Sequence, residues 1–87
     1  MPFIKTEFPG LVIFQPVVFG DGRGYFFESY NEHIFHAEGL HHQWVQDNQS
    51  YSHYGVIRGL HYQNPPSAQT KLVRTLEGSI LDIAVDI

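Results

Sequence analysis

Residues 71–87 read "KLVRTLEGSILDIAVDI", and their periodicity decides the class of fold. Successive side chains of an extended chain point to opposite faces. Leu81, Ile83, Val85 and Ile87 therefore share one side, and Ile80, Asp82, Ala84 and Asp86 the other. Glu77-Gly78 interrupts the run, so the stretch predicts two strands about a turn. Upstream, "NPPSAQT" (64–70) is a loop, because Pro65-Pro66 stops any regular element. "GVIRGLHYQ" (55–63) reads as a β-prone run, and "HHQWVQDNQSYS" (41–52) as a strand running into polar residues.

Nearer the N-terminus, "VVFGDGRGYFFESY" (17–30) reads as strand, Gly-rich turn, strand, with Gly20, Asp21-Gly22 and Gly24 supplying the tight turn. "LVIF" (11–14) is a short strand closed by Pro16. One helix is expected, near residues 32–38. Asn31 caps it, Glu32 favours its N-terminal dipole, Ile34 and Phe35 mark an apolar side, and Gly39 terminates it. Many short strands, frequent Gly and Pro turns and seven Phe, five Tyr and one Trp describe an all-β sandwich, jelly roll or barrel. On this pattern Tyr25, Phe26 and Tyr62 are expected to fill the core rather than line a pocket.

At 87 residues the chain is one domain at most. A domain this small is marginal alone, and with no cysteine a second chain is the remaining staple. Cysteine absence also fits a reducing, cytoplasmic setting. "MPFIKTEFPG" has no apolar core, which points away from export and membrane insertion. Net charge −4 without a basic run argues against nucleic acid. Of five basic residues, Arg23, Arg58 and Lys71 sit inside Gly- or His-containing motifs. Either they are reserved for an anionic small ligand, or they are surface cations near turns. The apolar strand at residues 80–87 would leave an unpaired edge. The expectation is therefore a chain lacking its natural second half, or one whose end a second subunit covers.

Six histidines raise a metal site. His33 and His36 are three apart and His41-His42 adjacent, without a carboxylate at zinc spacing, so solvated or partly buried histidines are favoured. Gly55 and His61, with the later Gly78, instead resemble the first motif of the cupin superfamily. Where metal cupins carry a second His and a Glu, this sequence has Gln63 and Lys71. A protonated lysine cannot be a ligand and repels a divalent cation. What remains is a cupin-like pocket with His61 and a cation, and no metal.

With "FGDGRGYFFESY" (19–30), "QDNQSYSHYGVIRGLHYQNPPSAQTKLVR" (46–74) and "GSILDIAVDI" (78–87), the sequence resembles the dTDP-4-dehydrorhamnose 3,5-epimerase family over nearly its whole length. The resemblance implies a cupin-type jelly-roll β-sandwich, here incomplete, with residues 1–87 as a single N-terminal portion of the epimerase domain. It implies inversion of carbons 3 and 5 of a dTDP-linked 4-keto-6-deoxyhexose, with no cofactor, in a homodimer. By motif position His61 is the general base, while Lys71 and Arg58 contact the keto sugar or its enolate. Arg23 and Glu28 correspond to contacts around the nucleotide, and Gln46 and Asn48 to contacts in the same pocket. In this resemblance N-terminal strands exchange between subunits, so Arg23 and Glu28 are placed to serve the second subunit's pocket. A tyrosine acid and an aspartate paired with the base come from the family's second half, so impaired activity is expected of these 87 residues.

The residue types agree with that chemistry. A proton beside a ketone is acidic only if the enolate is stabilised, imidazole is a suitable base, and cations at the ketone oxygen stabilise the charge that develops there. Arg23 suits a diphosphate bidentately; its plainer reading is a turn residue paired with Asp21. In a regular strand Arg58 and His61 lie on opposite faces, so a joint role requires an irregularity at residues 58–60, easiest at Gly59. Asp82 either orients Lys71 or His61, or is a solvated carboxylate. The competing functions are a C5-only or C3-only epimerase, a non-catalytic nucleotide-sugar binding module, and a metal-dependent cupin oxygenase, the last disfavoured by Gln63 and Lys71.

Overall fold

The computed structural model of the chain describes residues 2–87, which form two compact units. One comprises the chain up to His41 together with Ile83–Ile87, and the other is His42–Asp82. Among the described residues all the regular structure lies in the first: β1 (Phe3–Lys5), β2 (Val12–Phe14), β3 (Val18–Asp21), β4 (Gly24–Phe27) and α1 (Glu32–Ala37). Strands β1 and β2 form one antiparallel pair and β3 and β4 a second. Two small sheets and one short helix fit an incomplete all-β, cupin-like fold. Among the described residues no helix is long and apolar enough to cross a membrane.

The first hairpin aligns Phe3 with Phe14, Ile4 with Ile13 and Lys5 with Val12. Its loop is closed by Thr6, whose hydroxyl donates to the Leu11 carbonyl at 2.7 Å and accepts from the Phe8 amide at 3.2 Å. Gly10, at φ +87°, takes the left-handed conformation that a side chain disfavours. This register puts Phe3 and Phe14 on one face, where α1 delivers Phe35. Ring centroids are 5.0 Å apart for Phe3–Phe14, 5.0 Å for Phe3–Phe35 and 4.8 Å for Phe14–Phe35, and Tyr30 adds a fourth ring 4.6 Å from Phe35. Phe35 is 2% exposed and Phe3 8%. Each such ring pair contributes about 0.5–1.5 kcal/mol beyond the area it buries.

Helix α1 follows the capping pattern read from the sequence. Asn31 is extended (φ −146°) and its side-chain oxygen accepts from the Ile34 amide at 3.1 Å. At the other end the Leu40 amide donates to the Phe35 carbonyl and the Gly39 amide to the His36 carbonyl, both at 3.0 Å, with Gly39 at φ +89°. These paired bonds are a Schellman closure, which satisfies carbonyls the helix end would otherwise leave free.

The β3–β4 hairpin pairs Val18 with Phe27 and Asp21 with Gly24 around Gly22-Arg23. Of its turn glycines only Gly24 has positive φ, +137°. Asp21 Oδ1 accepts from the Arg23 amide at 2.8 Å, and Arg23 Nη2 reaches Asp21 Oδ2 at 2.7 Å. That hydrogen-bonded guanidinium lowers the Asp21 carboxyl below its ordinary value, with the backbone bond as a second cause.

Two expectations are corrected. Tyr25 and Phe26 are 74% and 69% exposed rather than core, because a lone two-stranded ribbon has no second layer beneath it. The segments 41–52, 55–63 and 71–87 are exposed, half-buried His42 apart, and form no strand among the described residues. Alternation specifies which face turns inward, but a strand also needs a neighbour to accept its ladder bonds.

Phe35→Ala should destabilise the first unit by about 3–5 kcal/mol and Asn31→Ala by about 1 kcal/mol, read by chemical denaturation of each variant. For Asp21, the folded-state value lies below the unfolded one, so its contribution is present at neutral pH and is lost as pH falls through the folded value. NMR titration should find the Asp21 carboxyl below the ordinary carboxylate range, rising only part of the way back in Arg23→Ala, which keeps the backbone amide bond.

Candidate active site

Within the unit His42–Asp82, turns take the place of strands. The Val56 amide donates to His53 O at 3.2 Å, with Gly55 at φ +88°. The Ser67 amide donates to Asn64 O at 2.8 Å around Pro65-Pro66. A proline pair cannot continue a ladder, and this turn folds residues 68–71 back towards 61–63. Between the two segments lies an open hollow of about 450 Å³ lined by His61, Tyr62, Gln63, Ala68, Gln69 and Lys71.

The hollow therefore gathers an imidazole, an ammonium and two amides, with Tyr62 as its aromatic wall. Tyr62 thus lines a site where a core position was expected. Lysine and glutamine amide are donors suited to a carbonyl or anionic oxygen, and the ammonium opposes a divalent cation. Gly59 has φ +117°, so the chain departs from extended geometry at the residue where an irregularity was anticipated. A Cβ built on Gly59 would stand 3.7 Å from His61 Nδ1; the imidazole lies close over this glycine, at an ordinary contact distance.

The other candidates lie elsewhere. Arg58 Nε donates to Ser52 Oγ at 2.8 Å and Nη2 to the Tyr51 carbonyl at 3.3 Å, so its guanidinium is held against residues 51–52 and does not line the hollow. Gln46 Nε2 donates to Asn48 Oδ1 at 3.4 Å, pairing these two amides with each other. Asp82 is exposed and makes no hydrogen bond to His61 or Lys71 among the described residues. Arg23 is paired with Asp21, the plainer of its two readings, and Glu28 is exposed on the first unit. Gln69 belongs to the Pro-Pro…Gln-x-Lys part of the family motif, two residues before Lys71, but was assigned no site role from the sequence.

The chain as a whole is matched by known proteins. The model of the dTDP-4-dehydrorhamnose 3,5-epimerase family aligns with residues 5–87. The chain belongs to this family. It is 56% identical to the dTDP-4-dehydrorhamnose 3,5-epimerase of Shigella flexneri, over all of this chain and 49% of that protein. The enzymes of the same name from Methanothermobacter thermautotrophicus and Escherichia coli are 52% and 49% identical. Those alignments cover 98% and 100% of this chain and 45% and 48% of the relatives. The chain thus spans about half the length of these curated relatives. No solved structure matches it.

Because Gly59 holds a left-handed conformation, an L side chain there costs about 1–2 kcal/mol. Gly59→Ala should shift the His61 imidazole resonances. Gly22→Ala, at a position with open space and no positive φ, should leave them in place.

Proposed function

We propose that this chain carries the proton-abstracting part of an epimerase acting on dTDP-4-dehydro-6-deoxy-glucose, at carbons 3 and 5. The observation that carries the reading is the shared hollow: His61 and Lys71, ten residues apart, line one cavity. His61 takes the proton from the carbon beside the C4 ketone, the electron pair moves to the ketone oxygen, and the Lys71 ammonium donates to the enolate oxygen. Return of a proton to the opposite face completes inversion; the family resemblance assigns that step to a tyrosine of the second half. Arg58, Gln46 and Asn48 are substrate contacts in this reading, and Arg23 and Glu28 are contacts around the nucleotide. The working protein is a cytoplasmic homodimer of one jelly-roll domain per subunit, with no cofactor. Support comes from the family membership, the names of the relatives and the chemistry of the hollow's side chains.

One well-placed donor to a developing oxyanion contributes a factor of about 10²–10³ in rate. In D₂O with the 4-keto sugar nucleotide, proton exchange at carbons 3 and 5, followed by NMR, should vanish in His61→Ala. It should fall by about that factor in Lys71→Met. Exchange at only one carbon would mean a single-site epimerase. Binding without any exchange would leave a nucleotide-sugar binding module.

A further inference from the structure

The proton-transfer chemistry uses two of the hollow's polar side chains, His61 and Lys71, and leaves its two amides without a role. Gln63 stands two residues after His61, and Gln69 two residues before Lys71. Side chains two apart in an extended chain share a face, and both members of each pair line the hollow. Thr70, between Gln69 and Lys71, is not part of that lining. Among the described residues neither amide makes a side-chain hydrogen bond. Gln46 and Asn48, by contrast, bond to each other. The hollow's amides are therefore available to a ligand with no internal bond to break first.

We propose that Gln69 is a specificity-determining residue, whose amide holds the hydroxyl on the carbon next to the substrate's ketone. The inference rests on the epimerase reading, in which Lys71 donates to the C4 oxygen. The two carbons flanking that ketone differ: C3 carries a hydroxyl, whereas C5 carries a methyl group and the ring oxygen. A primary amide donates through its NH₂ and accepts through its carbonyl, which matches the donor and acceptor of a hydroxyl. An ammonium only donates, so Lys71 suits the ketone oxygen and Gln69 the hydroxyl beside it. Gln69 takes this contact rather than Gln63 because it shares a face with Lys71, while Gln63 shares one with the base. Together the two contacts select one orientation of the ring. Turned about its ketone, the sugar would present the C5 methyl to Gln69 and leave the amide unpaired.

The test measures, by titration calorimetry on the full chain, binding of dTDP-4-dehydro-6-deoxy-glucose and of its 3-deoxy counterpart. The hollow is open, so water replaces a missing hydroxyl. The discrimination is then that of one neutral hydrogen bond, about 10-fold in affinity, and far below that of an enclosed site. Gln69→Met, close in size and without hydrogen bonds, should bring the two affinities together, whereas Gln63→Met should keep them apart. Gln69 is exposed, and Gln69→Ala repeats the comparison with a smaller side chain should the methionine disturb the loop. A merely structural role would weaken both sugars alike and leave their ratio unchanged. Equal affinities in the unsubstituted chain, no binding of either sugar, or a preference that survives both Gln69 variants would overturn the assignment. Proton exchange measured alongside separates the two readings. A preference lost in Gln69→Met without any exchange would uphold the contact and sink the epimerase reading, and exchange without the preference would do the reverse.

Discussion

The packing of the Phe3, Phe14 and Tyr30 rings about Phe35 is the interaction on which the first unit depends. The β1–β2 register sets Phe3 opposite Phe14, so both rings stand on one face of a hairpin too small to persist alone. A six-residue helix is equally marginal in isolation. Each supplies what the other lacks, an apolar surface to bury against. Once Phe35 is seated, the Asn31 cap and the Gly39 closure fix both helix ends.

The second unit is organised by turns. Its defining constraint is the proline pair, which forbids ladder hydrogen bonds and reverses the chain between Gln63 and Ala68. Lys71 shares a hollow with His61 for that reason, at a sequence distance no regular element would bridge on one face. Arg58 is kept from them by its own hydrogen bonds: its guanidinium is satisfied by Ser52 and the Tyr51 carbonyl. Charge alone would group Arg58 with Lys71, whereas backbone geometry places only the lysine at the hollow.

Much of the local structure was legible. The helix, its Asn31 cap, its stop at Gly39 and the Asp21–Arg23 turn follow from contacts within a few residues. β1 was missed because Phe3–Lys5 is a three-residue strand among prolines, with no period to detect. The strands expected over 41–52, 55–63 and 71–87 were misread for the opposite reason. The alternation over 80–87 is clear and the other two are β-prone, but pairing is a property of two segments and only one is written in any stretch. Tyr25 and Phe26 were assigned to a core on residue type, and a residue's type does not say whether a second layer covers it.

The sequence by itself determined the all-β character, the capped helix, the family and the residue types of the hollow, because each rests on short-range pattern or on motif. Which of those residues meet was decided by the tertiary structure alone. Lys71 and Gln69 join His61, and Arg58 turns away. Such meetings depend on where turns bring distant segments together, and that is set by packing and hydrogen-bond satisfaction across the chain, not by any one stretch of it.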